Sequence, residues 1–230
     1  MKRTILLLGL IATMAATSRA ADPMPPTTLL AVPGKLLIND DLSQPPQKSV
    51  WRIGPGDWTV ADGSLKGVER EKDHHGAVIR RPLKFKNAII RYEFQFAGAK
   101  ASSFSVNDAK EHVCRVLLGP KIFRAQKDDH DHAGPDKPVV FQSKRVDIAP
   151  GEWHTLVVEI VGPEMVATLD GKHTSFGSDD LLATEKANFG FTVSGDHMLF
   201  RNLAVWEAEL NPDWSATKDE LAKASKADAP

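Results

Sequence analysis

The chain has 230 residues, with 42% hydrophobic and 26% charged side chains, ordinary values for a globular protein. A chain of this length buries enough surface to fold without disulfide or metal staples. Its 29 basic and 30 acidic residues leave a net charge of −1, which excludes the basic excess of a nucleic-acid binder.

Residues 1–20 read as a secretory signal peptide. Lys2 and Arg3 precede an apolar run, and Ser18 and Ala20 supply small residues before a cut after Ala20. The run is too short for a comfortable membrane span, and no later segment is long and apolar enough. The expected address is therefore export, to the periplasm or beyond, with no membrane span.

Residues 21–34 hold Pro23, Pro25, Pro26 and Pro33 and read as an extended leader with little reason to pack. A β-rich domain is expected over 35–210. Trp58-Thr59-Val60 and Ser64-Leu65-Lys66 flank Asp62-Gly63, a strong hairpin signal. Ile90, Tyr92, Phe94 and Phe96 alternate with Arg91, Glu93 and Gln95, the period of a strand with one buried face. Cys114, the only cysteine, lies in a strand-like run and reads as a small buried apolar side chain. Leu156, Val158 and Ile160 alternate after Trp153; Met165 to Leu169 leads into a second Asp-Gly turn at Asp170-Gly171; Phe189, Phe191 and Val193 alternate again; and Leu199 to Trp206 completes the set. Roughly ten to twelve strands without intervening helices imply antiparallel sheets stacked as a sandwich or jelly roll. Trp51, Trp58 and Trp206 read as packing residues, and Asn202 as a side chain bonded to the backbone.

Residues 211–230 form a helical tail, with the helix itself over 212–226. Asn211 suits the cap and Pro212 the first turn. Trp214 and Leu221 are its expected docking contacts, and the rest of the tail offers little core burial.

The polar clusters carry the candidate chemistry. Lys127-Asp128-Asp129-His130-Asp131-His132 and Asp73-His74-His75 together hold four of the eight histidines. In an extended segment Asp128, His130 and His132 project to one side, a three-ligand arrangement that suits a divalent metal with open positions. Without a metal the same groups suit acid/base work, and a solvated loop is the plain alternative. His154 and His112 read as hydrogen-bonded sheet residues. The E-x-D-x-x-E strand that a retaining glucanase of this architecture needs for its paired carboxylates is absent from the sequence.

Three segments carry a resemblance. Trp58 to Gly67 is similar to a W-x-V-x-D-G-x-L-x-G opening, Gly151-Glu152-Trp153-His154-Thr155 with Asp170-Gly171 to a G-E-W-(N/H)-T strand pair, and Phe200-Arg201-Asn202-Leu203 to an F-R-N-(I/L) closing strand. Together they resemble the bacterial secreted 3-keto-disaccharide hydrolase domain family over about residues 36–207, as a short divergent branch. The resemblance implies an all-β, concanavalin-like jelly-roll sandwich and a hydrolase or lyase acting on 3-keto-glycosides. The alternatives are a non-catalytic carbohydrate-binding module and an envelope interaction domain. For that chemistry His130, His132 and His74 are the expected catalytic groups, and His75, Asp73 and Arg201 the expected substrate contacts. Asp128, His130 and His132 are the expected ligands of a possible divalent metal. A carbohydrate is the expected partner, and a monomer the expected state.

Overall fold

The computed structural model describes residues 23–129, 134 and 137–227. Among the described residues fifteen strands precede one α-helix. In chain order they are β1 (Ala31–Asp40), β2 (Arg52–Ile53), β3 (Asp57–Ala61), β4 (Ser64–Val68), β5 (Ala77–Phe85), β6 (Ala88–Phe96), β7 (Ala99–Asn107) and β8 (His112–Gly119). There follow β9 (Ile122–Lys127), β10 (Val139–Lys144), β11 (His154–Val161), β12 (Glu164–Leu169), β13 (His173–Ser178), β14 (Lys186–Gly195), β15 (His197–Leu210) and helix α1 (Trp214–Ala227). The excess over the expected ten to twelve comes from segments with weak alternation, such as the two-residue β2 and β5, which carries Arg80, Arg81 and Pro82.

The strands build the expected antiparallel sandwich. One sheet runs β13-β12-β11-β6-β15-β4-β3, with β1 added on the far half of β15. The second runs β10-β9-β8-β7-β14-β5-β2. Both Asp-Gly signals are turns with positive φ at each residue: Asp62 and Gly63 at 50° and 69°, Asp170 and Gly171 at 52° and 64°. Such turns match the right-handed twist of the strands they join. Between the sheets lie the alternating residues of the sequence pattern, with Tyr92, Phe104, Phe191 and Phe200 at the centre. The Phe191 and Phe200 rings stack across the two sheets at 4.4 Å. Trp51, Trp58 and Trp206 are buried, as is Cys114, whose thiol burial pushes up to about 12.

A second apolar cluster lies on the outer face of the first sheet, and two terminal segments cover it. Trp214 of α1 is buried there, edge-on to Phe176. Leu30 and Ala31 are buried as well, so the end of the leader does pack, contrary to expectation. The cause is Glu159, a fully buried carboxylate on β11. Its oxygens accept the backbone N–H groups of Leu29, Leu30 and Ala31 at 2.8–3.1 Å. A buried carboxylate needs such partners, and the leader supplies three. Trp214 and the partly buried Leu221 pack on this cluster, the docking contacts expected of the helix. Among the described residues no helix is long and apolar enough to cross a membrane.

Candidate functional site

The outer face of the second sheet carries a polar lane. Along β7 the residues alternate, Phe104 and Val106 facing the core while Ser103, Ser105 and Asn107 face outward. On β8, Cys114 and Val116 face inward and Arg115 outward. On β9, Phe123 and Ala125 face inward, and Arg124 and Gln126 outward. Register then aligns Gln126, Arg115, Ser105, Gly190 and Arg80 as consecutive cross-strand partners, with Arg52 last. The next row along holds Asn188, Asn107 and His112. Asn107 donates to Oδ1 of Asn188 at 2.7 Å and accepts from Nδ1 of His112.

Asp128 sits at one end of this lane. It follows β9, and its backbone N–H donates to the carbonyl of Val113 at 3.0 Å. The residue is 4% exposed. Gln126 donates to its Oδ1 at 2.7 Å, and Nε of Arg115 lies 2.8 Å from its Oδ2. A carboxylate withdrawn from water requires this compensation. With a guanidinium against one oxygen and an amide against the other, Asp128 is arranged as the partner of a cationic side chain. Its expected metal-ligand role also calls for His130 and His132. Among the described residues no group of three or more His, Cys, Asp and Glu is placed to hold a metal ion. His130 and His132 lie outside the described residues.

Asp73, His74 and His75 lie elsewhere. They join β4 to β5, and β5 begins at Ala77 opposite Val193 of β14. Lys127, beside Asp128, is aligned through Cys114, Val106 and Phe189 with Arg81, four residues further along β5. Lys127 thus lies level with the middle of β5 and four strands across the sheet, so His74 and His75 are not placed beside Asp128, and their expected approach to His130 and His132 lies outside the described residues. His74 is exposed with φ 49°, and His75 is exposed with Nδ1 against the carbonyl of Gly76 at 2.8 Å. Asp73 accepts the N–H of Gly56 at 2.7 Å and pairs with Arg70 at 2.8 Å. The Gly56 N–H is the main reason its carboxyl titrates below the usual range. This segment is a turn locked by its own polar contacts.

Arg201 lies on the outer face of the first sheet, away from the polar lane. Its guanidinium stands 3.9 Å from the ring centre of Trp153, and its Nε donates to Oε2 of Glu93 at 2.7 Å. Asn202 donates to Oε1 of the same carboxylate at 3.0 Å, a side-chain partner in place of the expected backbone one. His154 and His112 are hydrogen-bonded sheet residues, the former through Nδ1 to Asp170 at 2.8 Å. Sequence reasoning thus found Asp128 but not Arg115, Gln126, Ser105 or Arg80. The signal was the polar half of an alternation whose apolar half had already been used to find strands.

The site can be set beside known proteins. The chain is similar in structure to a galectin-like protein of unknown function from Bacillus subtilis, at TM-score 0.59 and 13% identity, covering 79% of this chain and 100% of that one. It is also similar to the carbohydrate-binding module CBM66 from Bacillus subtilis, at TM-score 0.56 and 13% identity, over 68% of this chain and 95% of that one. A third likeness is to SCLam, a non-specific endo-β-1,3(4)-glucanase of family GH16, at TM-score 0.56 and 13% identity, over 78% and 96%. At such identities these likenesses establish the jelly-roll fold alone. No curated protein sequence matches the chain. Residues 37–205, which include both halves of the sandwich and the polar lane, match the 3-keto-alpha-glucoside-1,2-lyase-like domain, and the chain belongs to that family.

Proposed function

We propose that this protein is an exported carbohydrate-active enzyme that opens 3-keto-glycosides by elimination followed by hydration. A ketone at C3 acidifies the proton on C2. A positioned base removes that proton, and the electron pair collapses to a C1–C2 double bond as the glycosidic oxygen leaves C1 and takes up a proton. Water then adds, hydroxyl to C1 and hydrogen to C2, and the net change is hydrolysis. This route needs one base and one electrophile rather than the paired carboxylates of ordinary glycosidases.

The observation that carries the reading is the Asp128–Arg115 pair on the polar lane of a domain of this family. Asp128 is the group proposed to accept the C2 proton. Arg115 engages it through Nε, so its remaining N–H donors suit the developing charge on the ketone oxygen. The experiment is turnover of a 3-keto-glucoside by the full chain, with and without chelator, beside the variant Asp128→Asn. Release of reducing sugar that is lost in the variant supports the reading, and no release under any condition overturns it. A second reading, glycan binding without turnover, is favoured by the partly exposed Trp153 and Arg201 pair on the opposite face. Binding of intact glycans that is abolished by Trp153→Ala, in a protein without turnover, would select it.

A further inference from the structure

We propose that the cavity at the Arg52 end of the polar lane takes an acidic glycoside, with Arg52 and Arg80 holding its uronate carboxylate. The inference rests on the proposed function for the glycoside class of the ligand. Arg52 and Arg80 are direct cross-strand partners at the end of the row that begins with Gln126 and Arg115. Like charges placed directly opposite are destabilising unless something neutralises them. Among the described residues neither guanidinium pairs with a carboxylate, nor do those of Arg124 and Arg145, whereas Arg70, Arg81, Arg91, Arg115 and Arg201 do.

The two arginines border a cavity of about 250 Å³, reached also by Lys110, Asn107 and Asn188. Asp108 and Glu111 line it too, so the cavity is not uniformly basic. Oδ1 of Asp108 is engaged by the backbone N–H groups of Lys110 and Glu111 at 2.7 and 2.9 Å, within the turn between β7 and β8. Arg52, Arg80 and Lys110 thus face two carboxylates, Asp108 and Glu111, which leaves one positive charge for a further anion. Guanidinium groups bind a carboxylate through parallel N–H donors, which suits a uronate better than a hydroxyl.

Gly190 lets Arg80 lie close to β14, because a Cβ there would meet the carbonyl oxygen of Ile79 at 2.1 Å and Cγ of Arg80 at 3.0 Å. Asn107 and Asn188 stand beside the arginines with side-chain amides that suit the hydroxyls of a sugar ring.

The test is calorimetric titration of the full chain with a disaccharide ending in glucuronic acid and with its neutral glucose counterpart. Wild type, Arg52→Gln and Arg80→Gln are compared. The acidic disaccharide is expected to bind about tenfold more tightly than the neutral one, as a charge-assisted bidentate contact allows. That ratio should fall towards one in Arg80→Gln and shrink with added salt. Both variants should melt at or above the wild-type temperature, because a like-charge contact is removed. A ratio near one in the wild type, a ratio unchanged in both variants, or equal affinity for inorganic sulfate alone would overturn the inference. Charge preference without turnover removes the proposed reaction and leaves this inference standing; turnover without charge preference does the reverse.

Discussion

Nε of Arg115 lies 2.8 Å from Oδ2 of Asp128, joining the middle of one strand to the residue just past the end of the next. The pair is unequal, with the Asp128 side chain 6% exposed and that of Arg115 28%. Removal of Arg115 leaves a carboxylate withdrawn from water with only Gln126 and its remaining contacts. Breaking a fully buried pair costs about 3–5 kcal/mol, and the partial exposure of Arg115 reduces this to about 1–3 kcal/mol for Arg115→Ala. Asp128→Asn retains the shape and keeps an acceptor, so its stability cost should be smaller. Its turnover of a 3-keto-glucoside should fall at least about a hundredfold if Asp128 takes the C2 proton. Equal turnover in wild type and Asp128→Asn, with melting temperatures measured alongside, would remove Asp128 from the reaction.

The terminal helix invites a direct measurement. Trp214 is 5% exposed and packs against Phe176 with ring centres 6.1 Å apart, and Lys218 pairs with Glu164 at 2.7 Å. Deleting residues 212–230 uncovers an apolar cluster on the outer sheet face. Trp214→Ala should cost about 3 kcal/mol, the low end of large-to-small core substitutions. Chemical denaturation of the variant and of the truncated chain checks both. An unchanged midpoint in each would mean that the helix rides on the sheet without stabilising it.

Alternation and turn chemistry made the sandwich legible. Tyr92 and Phe94, Leu156 and Val158, and Phe189 and Phe191 each announced an inward face, and two Asp-Gly pairs announced their turns. The packing of the leader was not legible, because its cause is one carboxylate, Glu159, about 130 positions away in sequence. Nothing local to Leu29, Leu30 or Ala31 signals it. The candidate site was legible only where charge clustered. Asp128 stood in a run of charged residues, whereas Arg115, Ser105 and Arg80 become neighbours only through the register of four strands. Residues Asp73–His75 show the converse, since a local cluster of polar side chains was sufficient for a self-contained turn.

Glu159 gives a prediction with a defined pH window. Burial raises its carboxyl from 4.5 to about 7, against the lowering effect of the Leu29, Ala31 and Leu30 N–H groups. An acid whose folded value lies above its unfolded one binds its proton more tightly in the folded protein. Its contribution to stability is therefore full below about pH 4.5 and is lost as pH rises towards and through about 7. The difference is at most about 3 kcal/mol by linkage. Glu159→Gln removes the titration while placing an amide N–H₂ among backbone donors, so it should be less stable at every pH. Urea midpoints from pH 5 to 8 should show the wild type losing stability relative to Glu159→Gln as pH rises. A constant difference between the two across that range would contradict the assignment.

Asn202 occupies the left-handed region at φ 54°, where β15 shifts register between Arg201 and Ala204. The shift lets Arg201 face outward, Leu203 enter the core and Ala204 face outward again. Two properties of asparagine serve this position, its tolerance of positive φ and the Nδ2 donor that reaches Glu93 at 3.0 Å. The substitutions Asn202→Gly and Asn202→Val separate them. Glycine keeps the backbone and loses one partly exposed hydrogen bond, a cost of about 0.5–1.5 kcal/mol. Valine loses the same bond and adds a β-branched side chain in a conformation that it resists, for a further 1–3 kcal/mol or so. Melting temperatures should therefore fall in the order wild type, Asn202→Gly, Asn202→Val. If valine matches glycine, the bulge relaxes to an ordinary strand at little cost, and the register of β15 is set by the core residues on either side instead.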